Sequence, residues 1–210
     1  VKNTGVLYCP GIPGAGKTML SSIIINHLQE SVGMEQDIGV AYIFFDYGQQ
    51  SEQNLFSILK SILKQLVLKL SFVPADLNML YRSCQNDHSQ PQHDQFAELL
   101  VTIANSYSRV YLVIDALDEC SDVDRTRDKV ISYVLDLHEK YNISIFATSR
   151  FIPDIVAKFE PFSSVEIRAS DADVTLFVEE HVHELSNCVQ RNPELSKLVV
   201  SEIVSSVSGM

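Results

Sequence analysis

Between the apolar run GVLYC (5–9) and the helix-like MLSSIIINHL (19–28), the chain places CPGIPGAGKT, with three glycines and two prolines in ten residues. Proline fixes φ and removes a hydrogen-bond donor, while glycine opens backbone angles closed to other residues, so this interval ends a strand before a helix begins. An apolar strand, a tight glycine loop and a helix in immediate succession favour architectures in which helices cross back over a parallel sheet.

The rest of the chain repeats the alternation. The runs VAYIFFD (40–46), VYLVID (110–115), ISIFAT (143–148) and SVEIRA (164–169) read as further strands, most of them near-continuously apolar as strands buried on both faces are. Helical periodicity fills the intervals, and the expected fold class is α/β, three-layered, with a mainly parallel five-stranded sheet and a C-terminal helical extension. An insert near 52–106 is helical, with Leu55, Leu59, Ile62, Leu63, Leu66 and Leu70 forming a core-facing stripe. The polar, proline-broken stretch within 83–95 reads as a surface loop, and its His88 and His93 as solvated side chains.

Strand signals stop near 169. Residues 1–169 are expected to form the main domain and 170–210 the start of a helical subdomain, with Ser170 as N-cap of one helix and Pro193 near the start of another. Val1 is not an initiator methionine and SSVSGM carries no stop signal, so the expectation is a truncated piece of a longer protein.

The 210 residues carry 27 acidic and 16 basic side chains, a formal net charge of −11. That balance disfavours partners that need a basic footprint, so neither a nucleic acid nor a membrane is expected to bind this segment. Cys9, Cys84, Cys120 and Cys188 show no paired metal-ligand spacing and suit a reduced setting. With neither a secretory signal nor a spanning run, the expected location is cytoplasmic.

Gly11, Gly16, Lys17 and Thr18 fit G-x-x-x-x-G-K-[ST], the Walker A pattern, in the strand-to-helix context that motif requires. Backbone amides along Gly11, Ile12, Pro13 (which itself has none), Gly14, Ala15, Gly16, Lys17, Thr18 and Met19 are expected to cradle an anionic oligophosphate at a helix N-terminus. Lys17 would meet the β- and γ-phosphates, and the Thr18 hydroxyl would coordinate Mg2+. In VYLVIDALDEC, Asp115 closes an apolar strand as a Walker B acid does and is the second candidate magnesium residue. Asp118 and Glu119 follow as candidates for polarising the attacking water, since Ala116 occupies the position where many ATPases carry that acid. In IFATSR, Arg150 is a candidate reader of the γ-phosphate, with Thr148 and Ser149 as weaker ones. No Asn-Lys-x-Asp base reader is present, which points to ATP or ADP, with GTP left open.

Taken together, GIPGAGKTMLS, AYIFFDYGQQ with the later ILKSILKQL, VYLVIDALDEC and FATSR resemble the blocks of a NACHT domain. The likeness is to a STAND-class signal-transduction P-loop NTPase of the fungal NOD-like receptor type, and Ala116-Leu117-Asp118-Glu119 is its most specific mark. The resemblance implies strand order 5-1-4-3-2, a magnesium requirement, slow hydrolysis, and a switch that homo-oligomerises in its triphosphate state. It implies signalling in nonself recognition, innate immunity or cell death through other domains of a longer protein.

Two other functions fit the same motifs: a mechanical ATPase of the AAA+ type, and a scaffold that holds nucleotide without hydrolysing it. A small-molecule kinase would need an arginine-rich lid, and the chain has few arginines.

Overall fold

Five strands form one sheet in a computed structural model that describes residues 3–32, 37–86, 88–89, 91–168 and 170–208. Strands β1 (Asn3–Pro10), β2 (Ile38–Phe44), β3 (Arg109–Asp115), β4 (Ile143–Ser149) and β5 (Phe162–Ser164) lie in the order β2-β3-β4-β1-β5. Every neighbouring pair is parallel. This is the expected sheet and the expected order, read from the other edge.

The last strand differs from the sequence reading: it is Phe162–Ser164 rather than 164–169. Among the described residues it pairs with β1, at the sheet edge, through Leu7 with Ser163 and Tyr8 with Ser164. The Val165 N–H still reaches the Tyr8 carbonyl at 3.0 Å, but Val165 is exposed. Further along β1, Pro10 offers no N–H and the Gly11 N–H goes to Ser149 on the other side, so the ladder stops. Residue 169, the expected boundary, lies outside the described residues.

Side-chain alternation gives the sheet two different faces. Val6, Tyr8, Ala41, Ile43, Leu112, Ile114, Ile145 and Ala147 join one core cluster with helices α2 (Leu55–Lys69), α4 (His93–Ala104), α5 (Thr126–Lys140) and α6 (Pro153–Phe159). The α2 stripe works as its periodicity implies: Leu59, Ile62, Leu63 and Leu66 are buried, with Leu55 and Leu70 packed at the margin. Tyr8 stacks on Phe159 with ring centroids 4.6 Å apart. Between α2 and α4, α3 (Ala75–Asn86) extends into the stretch read as loop, and α4 begins at His93.

Helix α1 (Lys17–Val32) packs on β2, β3 and β4, over the face that carries Val40, Val113 and Phe146. Its buried positions are Ser21 and Ile25, one turn apart, while Ile23 is 57 % exposed. Of the apolar stripe that the sequence places along this helix, Leu20, Ile24 and Leu28 are half-buried whereas Ile23 and His27 are exposed, because the positions that follow Lys17 at four-residue steps meet the sheet most closely.

The chain divides into two compact units, one holding the residues up to Gly11 together with Lys17–Glu166, the other Ile12–Gly16 and the residues from Ile167 onward. In the second unit, α7 (Asp171–His181), the one-turn α8 (Asn187–Gln190) and α9 (Pro193–Ser208) follow one another. Ser170 caps α7 in a reciprocal capping box with Asp173.

Candidate functional site

Two periodicities bring the first polar cluster together. Tyr111, Val113 and Asp115 share the face of β3 toward α1, and Ser144, Phe146 and Thr148 share the same face of β4, one register step away. On α1, Lys17 and Ser21 are four residues apart and Thr18 is adjacent. The strands therefore deliver Asp115 and Thr148 beneath the first turns of the helix.

The resulting contacts are short. Asp115, only 2 % exposed, accepts the Thr18 hydroxyl on Oδ2 at 2.7 Å. Its Oδ1 accepts Ser21 at 2.6 Å and Thr148 at 2.7 Å. Burying a carboxylate is costly unless hydrogen bonds replace its water, and three hydroxyls do so here. Ser21 carries no motif signature; its one local signal is a hydroxyl residue a helical turn beyond Lys17.

Lys17 donates from Nζ to the Gly11 carbonyl at 2.8 Å. Burial pushes its ammonium pKa below the usual lysine range; Arg150 adds to that shift, and the Asp118, Asp115 and Glu119 carboxylates oppose it. Within the loop that links Gly11 to Lys17, Gly14 and Gly16 have φ of 79° and 88°. Among the described residues, nothing lies within 4 Å of where a Cβ would stand at either, so backbone angle rather than space demands glycine there. The Ala15 N–H turns back to the Ile12 carbonyl at 3.3 Å. Met19 is exposed, and so is Pro13.

The second cluster forms where β3 and β4 end. Ala116 takes a left-handed conformation, φ 58° and ψ 47°, its N–H held by the Thr148 hydroxyl at 3.0 Å. That reversal starts a short helical turn, Leu117–Glu119, which buries Leu117 and turns Asp118 toward the end of β4. Asp118, whose side chain is 6 % exposed, accepts the Arg150 backbone N–H at 2.9 Å and pairs with its Nε at 2.7 Å.

Glu119 accepts the Tyr47 N–H at 3.1 Å and stands 4.0 Å from the Arg150 guanidinium. Its carbonyl also takes the Gln50 side chain at 2.7 Å. The loop after β2 thus reaches the acidic turn, a link that no motif announces. Ser149 faces elsewhere: its hydroxyl meets Tyr8 at 2.6 Å and the Arg150 carbonyl at 2.6 Å.

Chemically, Lys17, Thr18 and Asp115 offer a cation and a hydroxyl–carboxylate pair side by side. Asp118, Glu119 and Arg150 form a separate ion-paired group at the neighbouring strand ends. Among the described residues no group of three or more His, Cys, Asp or Glu side chains is arranged to hold a metal ion by itself. Nor is any described helix long and apolar enough to cross a membrane.

The fold is that of P-loop ATPases. The Aeropyrum pernix ORC2 protein, solved in ADPNP–ADP complexes, superposes with a TM-score of 0.53 at 15 % identity, covering 87 % of this chain and 46 % of that one. A Walker-type ATPase of Pyrococcus abyssi gives 0.55 at 12 %, covering 87 % and 54 %. Cdc6p from Pyrobaculum aerophilum gives 0.52 at 16 %, covering 84 % and 44 %. The chain thus spans about half the length of these proteins. No curated protein matches the sequence significantly. The model of the family described as Nephrocystin 3, N-terminal, matches residues 1–150, from the first strand through Arg150 at the acidic turn, and the chain belongs to that family.

Proposed function

We propose that the chain is the nucleotide-binding switch module of a longer signalling protein, taking ATP or ADP, with GTP open, together with Mg2+. The observation that carries this reading is the Thr18–Asp115 contact at 2.7 Å, made directly after a glycine loop whose Lys17 is partly desolvated. A hydroxyl already hydrogen-bonded to a carboxylate is an oxygen pair that suits a hard divalent ion, so the donor set fits magnesium. Thr18 and Asp115 would hold it; when bound, it would neutralise phosphate charge.

The backbone from Gly11 to Met19, counting Ile12, Pro13, Gly14, Ala15 and Gly16, would enclose the phosphates, with Lys17 against the outer ones. Arg150 would exchange Asp118 for a γ-phosphoryl group, and Asp118 or Glu119, so released, would act on the attacking water. Hydrolysis is accordingly slow, since both acids are engaged in the state described.

At the finer level the reading is a NACHT-type module of a STAND receptor like the fungal NOD-like ones, homo-oligomerising with triphosphate bound and acting through other domains in the cytoplasm. In it, residues 1–169 form the nucleotide domain and 170–210 open a helical subdomain. The net charge of −11 argues against a nucleic-acid partner.

The same engagement of Asp118 and Glu119 favours one alternative, a module that holds nucleotide without cleaving it. Single-turnover assay of ATP bound by the chain separates the two. Slow phosphate release that slows further in Glu119→Gln or Asp118→Asn supports the switch; tight binding with no release supports the holder. Absence of ATP binding would remove both.

A further inference from the structure

Asp115 is held more tightly on one oxygen than on the other. Oδ1 accepts two hydroxyls, Ser21 at 2.6 Å and Thr148 at 2.7 Å, whereas among the described residues Oδ2 accepts Thr18 alone, at 2.7 Å. The direction of each donation is determined. Thr148 accepts the Ala116 N–H at 3.0 Å, so its own proton is left for Asp115. Ser21 has one proton and two acceptors within reach, Asp115 at 2.6 Å and the Lys17 carbonyl at 3.0 Å, and the shorter contact goes to the carboxylate.

Each carboxylate oxygen has two lone-pair positions. Both positions of Oδ1 are filled by side chains that are wholly buried, Ser21 and Thr148 each being 0 % exposed. Oδ2 keeps one, on the side where Thr18 stands. Asp115 can therefore offer an ion, or a water on that ion, a single contact from a single oxygen.

That limit discriminates between divalent cations. Calcium takes six to eight oxygens and readily accepts both oxygens of a carboxylate, whereas magnesium takes six in a near-octahedral set and keeps several waters. We infer that Ser21 and Thr148 are specificity-determining positioning residues: by saturating Oδ1 they confine Asp115 to one-oxygen contact and make the site select a small octahedral ion over calcium. The inference rests on the nucleotide–magnesium reading of this site and adds two residues outside the loop motif to it.

The test is equilibrium titration of the full chain with a non-hydrolysable ATP analogue in Mg2+, in Ca2+ and in EDTA. The unaltered chain should bind more tightly in Mg2+ than in Ca2+. Ser21→Ala should reduce the strengthening by Mg2+ about tenfold, the lower end of what loss of a residue orienting a metal ligand costs. It should also bring the Mg2+ to Ca2+ ratio toward one. Ser21→Cys, which keeps the packing but donates weakly, should follow Ser21→Ala, so a folding defect from the smaller residue is not the explanation. Thr148→Ser, which keeps the hydroxyl, should retain the parent ratio.

Analogue binding by both Ser21 variants with the parent Mg2+ to Ca2+ ratio would overturn the inference while leaving the nucleotide reading intact. Failure of the unaltered chain to bind the analogue at all would instead overturn the nucleotide reading on which it depends.

Discussion

Arg150 holds Asp118 twice, its backbone N–H on Oδ1 at 2.9 Å and its Nε on Oδ2 at 2.7 Å. The acid is nearly buried and the arginine half exposed, with side-chain exposures of 6 % and 51 %. Screening weakens the pair from the arginine side, while burial of the acid strengthens it, and a coupling of about 1–2 kcal/mol is expected. Urea unfolding of Arg150→Ala, Asp118→Ala and the double variant measures it. Additive losses would mean that the pair contributes nothing.

Lys17 carries opposite consequences for stability and for binding. Burial lowers its pKa, so the unfolded chain holds this proton more tightly than the folded one. Stability from this group therefore rises with pH between the folded and unfolded pKa values, and at neutral pH the fold bears the full desolvation cost of the charge. Lys17→Met should raise the Tm of the nucleotide-free chain at pH 7 and weaken triphosphate binding roughly a hundredfold, the scale of losing one partner of a desolvated charge pair. A lowered Tm would mean that the Gly11 carbonyl contact outweighs the burial.

Gly5 marks a close approach between β1 and α5. Its φ is 138°, and a Cβ built there would lie 2.7 Å from His138 Cε1. The His138 ring cannot simply swing away, because its Nδ1 meets the Ile143 carbonyl at 2.6 Å. Gly5→Ala should cost about 2–3 kcal/mol in thermal or urea unfolding, combining backbone strain with overpacking.

The cysteines divide by burial. The thiol pKa of Cys9 and that of Cys120 are each pushed up to about 11 by burial, whereas Cys188 is exposed and Cys84 partly so. A thiol reagent at pH 8 should modify Cys188 quickly, Cys84 more slowly, and Cys9 and Cys120 only on unfolding. The raised values also fix a sign: the stability they contribute is present below the unfolded thiol range, near 9, and is lost as pH rises toward 11.

How far the sequence led depends on the range of each interaction. That the sheet would be parallel was legible because apolar runs, long crossovers and the glycine loop are local signals, whereas the order of its strands followed only from the resemblance to NACHT domains. The end of β5 was not legible: Val165 and Ile167 alternate like strand residues, but beyond the Val165 N–H contact to Tyr8 the neighbouring strand offers Pro10, which has no N–H to continue the ladder. Asp115, Lys17 and Thr18 were legible from motif spacing. Ser21 was hidden because its partner lies 94 residues away, and helical periodicity by itself favours apolar neighbours at that face. Arg150 could be read as a strand-end arginine, but its hold on Asp118 depends on the left-handed turn at Ala116, a conformation that alanine does not advertise.

The most direct measurement is calorimetric titration of the chain with ATP, with and without Mg2+. Saturable one-to-one binding is expected, strengthened by Mg2+ and weakened roughly a hundredfold in Lys17→Met. No saturable binding, or binding indifferent both to Mg2+ and to Lys17, would contradict a phosphate cradle at Gly11–Met19 backed by Asp115.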